Sequence, residues 1–186
     1  MGYEGARLVW NPDAPTSRVA YWGAPQTIEV MAQAVGEDAD HFETRQLAET
    51  ICEGIDSKDY TSEYLALYYC VLQHTRYMRD PRRTELVRAP YVIARQILAG
   101  RRPSVDCDDM ATLIAALVQA VGGAPEFVTV AFDDRTFDGQ RQYSHVFAQA
   151  RDPRRGGKIA LDPVAAEKTS QMLRRVRFRD TWPVTA

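Results

Sequence analysis

A cysteine at the front of a helical pattern is the most chemically suggestive feature of the chain. In SVDCDDMATLIAALVQAVGG, the residues Met110, Leu113, Ile114, Leu117, Val118 and Val121 recur at helical spacing and form one apolar stripe. Burial of each such side chain stabilises by roughly 1.5–3 kcal/mol, so packing accounts for the body of this helix. Packing does not account for its front end. Asp106 has the N-cap position and Asp109, three residues on, has the capping-box position, which places Cys107 in the first turn. Free backbone N–H groups and the positive end of the helix dipole there favour thiolate over thiol. The carboxylates of Asp106, Asp108 and Asp109 oppose this by repulsion, so an activated thiolate needs a positive partner, and histidine is the obvious one. A small buried thiol beneath a capped helix fits the same stretch equally well.

His145 lies within a segment with strand character, Gln142 to Ala150 (QYSHVFAQA). Alternation puts Tyr143, His145 and Phe147 on one face and Ser144, Val146 and Ala148 on the other. Asp162 closes the next such segment, Lys158 to Asp162 (KIALD), just before Pro163. Residues on neighbouring antiparallel strands and the same face come within roughly 4.5–5.5 Å. A carboxylate so placed can hydrogen-bond a histidine and fix its tautomer. Each residue alone also has a plain structural role, the histidine in packing and the Asp-Pro pair in a turn.

The order of the three narrows the choice. Cysteine on a helix N-terminus, then histidine on a strand, then aspartate on the next strand resembles the transglutaminase-like superfamily of papain-like folds. Asp106-Cys107-Asp108-Asp109, His145 in YSHVF and Asp162 in LDP carry the resemblance, which extends from about Gln26 to Pro163. The upstream segments QTIEVMAQAV and TRYMRDP are similar to those of phage and prophage members. The resemblance implies a Cys107-His145-Asp162 triad. Cys107 attacks a carbonyl, His145 moves the proton, and Asp162 orients the ring. The Cys107 N–H supplies one oxyanion donor, and Tyr77, Arg76 and Gln73 are candidates for a second. Two positions depart from the pattern. Val105 stands where many relatives have glycine two residues before the cysteine, and Asp108 stands where the eukaryotic cross-linking enzymes have tryptophan. The second departure points away from protein cross-linking and toward a cysteine-dependent amide hydrolase, with acyl transfer as the other outcome of the same chemistry. A non-catalytic assembly or binding module, in a phage particle for example, is the alternative from another class.

The elements that must position these residues are legible in outline. Residues 1–24 read as an extended N-terminal segment, with a turn at Trp10-Asn11-Pro12-Asp13, and 25–186 as one domain. A helix is expected from about Thr27, with Ile28, Met31 and Val35 on one face and Gly36 at its C-terminal cap. A second is expected from Asp40, with Glu43 completing a capping box and Leu47, Ile51 and Ile55 inside. A third, Thr61 to Met78, is apolar nearly all round and reads as central and buried. A fourth runs from Pro90 to Leu98 and is closed by Gly100. After Gly122-Gly123 the period changes to that of strands: Glu126 to Phe132, the two segments already named, and Arg174 to Arg179 as a fourth. Helices first and an antiparallel sheet last make an α+β fold, papain-like or transglutaminase-like by the resemblance, with N-terminal helices packed on a C-terminal sheet.

Composition excludes several classes. The 186 residues are 45% hydrophobic and 26% charged, which suits a chain with its own core and not a disordered or collagen-like one. A net charge of −2 offers no global field for nucleic acid or an anionic membrane. Arg151, Arg154, Arg155, Arg174, Arg175, Arg177 and Arg179 make the C-terminal part basic, and without interleaved aromatics they read as a solvated surface. No apolar run approaches the roughly 18 residues of a membrane span, and the first residues lack a secretion signal. With three cysteines, an odd number, this points to free thiols in a reducing cytoplasm, or in a virion by the resemblance. Cys52 and Cys70 read as core residues, and His41 and His74 as structural or surface ones. No pair has the short spacing of a zinc site, so no metal and no cofactor is called for. The partner implied is a protein or peptide substrate, with phage structural proteins as further candidates.

Overall fold

Helical periodicity fills the first two thirds of the chain and strand alternation the last third, and the backbone follows that change. The computed structural model describes residues 16–19, 24–79, 85–137, 139–164 and 175–184. Its elements in order are β1 (Thr16–Val19), α1 (Ala24–Asp38), α2 (Phe42–Cys52), α3 (Tyr60–His74), β2 (Arg76–Tyr77), β3 (Glu85–Arg88), α4 (Pro90–Leu98), β4 (Ser104–Val105), α5 (Cys107–Ala120), β5 (Pro125–Ala131), β6 (Thr136–Phe137), β7 (Gln140–Arg141), β8 (His145–Arg151), β9 (Lys158–Leu161) and β10 (Phe178–Pro183). This is the expected α+β class, with helices first and packed on a C-terminal antiparallel sheet of order β10-β5-β8-β9.

The helix at the centre is α5, not α3. Every residue of α5 from Asp108 to Val118 is buried. Only Tyr64, Leu67 and Val71 of α3 are buried, and Tyr69 is half exposed. The helix α5 packs on β8 and β5 on one side and on α1, α2, α3 and α4 on the other. Phe127, Val146, Ala148, Ala150 and Leu161 of the sheet join Met31, Leu67, Ile93 and Leu113 of the helices in one core. Val128, Val130 and Phe147 form a smaller cluster. At the exit of α5, Gly123 has no room for a side chain, since a Cβ there would stand 2.5 Å from Tyr64 Oη.

Several boundaries differ from expectation. Gly36 lies inside α1 and does not cap it. The N-cap of α2 is His41, without a side-chain cap bond, so the Asp40–Glu43 box does not form; Glu43 pairs instead with His41 Nδ1 at 2.7 Å. The helix α3 stops at His74, where the Thr75 hydroxyl and N–H both turn back to Val71 O. Arg76 and Tyr77 then leave the helix because β4 pairs with them. The strand β8 starts at His145, not Gln142, because its ladder with β5 begins at the Val130–His145 pair. The last strand begins at Phe178, its register set by β5 from Ala131 to Glu126. The extended piece β1 pairs with β3. The expected turn at 10–13 and the start of the 174–179 segment lie outside the described residues.

Candidate active site

The front of α5 is built as its sequence requires. The Asp106 side chain caps the helix by accepting from Asp109 N at 3.4 Å, and Asp106 O takes the first helical bond, from Met110 N. Cys107 is the first residue of the helix, partly exposed and in no disulfide. Asp109 faces β3, where its carboxylate accepts from Arg88 N at 2.8 Å, with the Arg88 guanidinium at 3.7 Å. The approach to Cys107 is also fixed. Tyr77 pairs with Val105 in a short parallel ladder, Met78 N donates to Val105 O at 2.8 Å, and Arg102 Nε donates to Thr75 O at 2.9 Å. Val105 is buried in that ladder.

His145 and Asp162 come together on the sheet. His145 Nε2 lies 2.9 Å from Asp162 Oδ2, and the two residues are 8% and 5% exposed. A pair so withdrawn from water keeps most of its electrostatic strength. The other carboxylate oxygen, Asp162 Oδ1, accepts from Val164 N at 3.2 Å, which fixes the carboxylate just past the end of β9. The ring of His145 stacks on Phe147, two residues along β8. Tyr68 of α3 reaches the same corner, with its hydroxyl 3.5 Å from Asp162 O. Burial, and next the charge of Asp162, push the Tyr68 hydroxyl above the usual tyrosine range.

The other cysteines sit in a different environment. Burial pushes the Cys52 thiol up to about 11, with the charge of Glu63 adding to it, and burial alone raises Cys70. Of the oxyanion candidates, Arg76 and Tyr77 stand on β2 beside β4, while Gln73 remains on α3. Sequence reasoning did not single out Arg79, an exposed residue two positions past the end of β2. Among the described residues, no group of three or more His, Cys, Asp or Glu side chains is placed to hold a metal ion, and no helix is long and apolar enough to cross a membrane.

No family model matches the chain, and no curated protein matches it. Two solved structures are similar to it. One is a candidate protease from Parabacteroides distasonis, with a TM-score of 0.51 at 12% identity over 72% of this chain and 26% of that one. The likeness is one of fold. The other is a candidate cysteine protease from Cytophaga hutchinsonii, with a TM-score of 0.47 at 16% identity over 80% of this chain and 48% of that one. The chain therefore spans less than half the length of either.

Proposed function

We propose that the chain is a cysteine-dependent amide hydrolase of the transglutaminase-like kind, with Cys107 as nucleophile, His145 as general base and acid, and Asp162 as the group that orients the histidine. The observation that carries this reading is the buried 2.9 Å contact of His145 Nε2 with Asp162, on a strand against which the helix headed by Cys107 packs. A carboxylate on Nε2 leaves Nδ1 to exchange a proton with the thiol. His145 shares its side of β8 with Phe147, on which its ring stacks. The thiolate attacks the amide carbonyl, His145 protonates the departing amine, and water resolves the thioester. An amine in place of water gives acyl transfer. The fold shared with a candidate protease supports the reading at the level of architecture.

The test is turnover of a peptide and amide library by the full chain, with Cys107→Ala as control. Cleavage or transfer that disappears in the control supports the enzyme. Activity that persists in Cys107→Ala contradicts the assignment of the nucleophile. A cellular role that Cys107→Ala still performs, with no substrate in the library, favours a binding module.

A further inference from the structure

Two segments meet just before the head of α5, and both are rich in arginine. Residues 73–79 (QHTRYMR) leave the end of α3, and residues 100–105 (GRRPSV) lead from α4 to α5; neither contains a carboxylate. Backbone bonds tie them together. Arg76 N donates to Pro103 O at 2.9 Å and Met78 N to Val105 O at 2.8 Å, in the ladder that sets Arg76 opposite Ser104. Arg102 Nε donates to Thr75 O at 2.9 Å, and Arg101 N donates to Gln96 O of α4 at 2.9 Å. Arg76, Arg101 and Arg102 therefore stand on fixed backbone, and all three are exposed. Elsewhere on the surface arginines have acidic partners, as Arg135 has Asp133 and Arg141 has Asp180. Among the described residues, no carboxylate pairs with Arg76, Arg101 or Arg102.

We propose that the strip of Arg76, Arg101 and Arg102 receives an acidic segment of the peptide on which Cys107 acts; the proposal rests on the reading of Cys107 as nucleophile and deepens it by naming the substrate class. Guanidinium groups match carboxylates in charge and in planar hydrogen-bond geometry. The Arg102 fork spends Nε on Thr75 O, which holds the group in place and leaves its other N–H donors for an anion. Tyr77 and Met78, on the same segment, are exposed large hydrophobics, and Tyr, Met and Arg are the side chains enriched where proteins meet other chains. The net charge of the chain is −2, so the attraction is local and is screened beyond about 10 Å at ordinary salt. That suits a short acidic segment and not a long polyanion.

The spacing places the acidic residues. Ser104, opposite Arg76, is three residues before Cys107, at most about 10 Å along the chain. An extended peptide advances about 3.3 Å per residue. Carboxylates about three residues from the attacked carbonyl therefore meet the strip.

The probes are a fluorescein-labelled nonapeptide with three adjacent glutamates, its glutamine counterpart, and a labelled oligothymidylate. Binding is followed by anisotropy on the full chain carrying Cys107→Ala. The glutamate peptide is expected to bind at least tenfold more tightly than the glutamine one, with the difference lost at high salt. Adding Arg76→Gln and Arg101→Gln, which spare the Arg102–Thr75 bond, should weaken it about fivefold, the scale of two exposed ion pairs. Arg154→Gln with Arg155→Gln removes the same charge from the turn after Asp152, which bonds Thr61 at the other end of α3, and should leave binding unchanged. In the wild type the glutamate peptide should slow iodoacetamide labelling of Cys107 and not of Cys70. Equal affinity for the two peptides, equal losses in the two double variants, or binding that leaves Cys107 labelling unchanged overturns the proposal. Tighter binding of the oligothymidylate, lost with Arg76 and Arg101, overturns it in favour of nucleic acid. Turnover of the glutamine peptide as fast as the glutamate one keeps the hydrolase and overturns the strip. Selective binding with protection of Cys107, but no turnover of any library member, supports the strip and overturns the hydrolase.

Discussion

Asp162 has one acceptor on a backbone N–H and the other on a histidine, and that division sets what its loss does. Asp162→Asn keeps an oxygen for Val164 N and similar bulk, so the melting temperature should stay within a few degrees of the wild type. The amide cannot balance an imidazolium charge and can hold the ring in the wrong tautomer. Turnover of whatever substrate the library yields is therefore expected to fall by about 10³–10⁴-fold, the scale known for the corresponding change in a serine-protease triad. Wild-type turnover in Asp162→Asn would remove the carboxylate from the mechanism. At this scale the sequence is most legible where the neighbours in space are also neighbours in sequence. The Asp106 cap is readable because its partner is Asp109, three residues away. The His145–Asp162 pair needs only two consecutive strands to be recognised as paired. Tyr77 instead reads as the tail of α3, because its strand partner Val105 is distant in sequence.

Elements read well where they end on their own chemistry. The helix α4 runs from Pro90 to Leu98, as Pro at its start and Gly100 past its end require; Gly100 has φ +70° and its N–H returns to Ile97 O. They read poorly where a distant strand decides. The end of α3 depends on residues 103–105, and the start of β8 on where β5 offers a partner. Neither is visible in local periodicity. The helix α5 depends on a distant element too, through the carboxylate that Asp109 gives to Arg88 N of β3. Asp109→Ala leaves that N–H without its charged acceptor, at a cost of about 2 kcal/mol. A chain of this size should then melt roughly 4–8 °C lower. Asp109→Asn, which keeps an acceptor oxygen, should recover most of the loss. Equal melting of Asp109→Ala and the wild type would show that β3 does not hold the head of α5.

Across the whole molecule, helices and sheet meet along α5, and one buried carboxyl in the helical layer gives stability a pH dependence. Asp38 ends α1, and burial pushes its carboxyl up to about 6 from the usual 3.8. The Tyr91 N–H bond and the charge of His41 oppose the shift, and Glu37 adds to it. Between about pH 4 and 6 the unfolded chain has released this proton and the folded one has not, so stability falls as pH rises and stays lower above. Asp38→Asn keeps an acceptor for Tyr91 and carries no charge. At pH 7 it should be more stable than the wild type by on the order of 2 kcal/mol, and near pH 4 the two should melt alike. A variant less stable at pH 7 would contradict this. The central claim concerns the joint between the two layers, that Cys107 of the helix and His145 of the sheet act as one unit. Iodoacetamide labelling at neutral pH, followed cysteine by cysteine by mass mapping in the wild type and in His145→Ala, tests it most directly. The expected result is that Cys107 reacts ahead of Cys52 and Cys70 in the wild type, loses at least tenfold in rate in His145→Ala, and leaves the other two unchanged. Identical Cys107 rates in the two proteins would contradict the account.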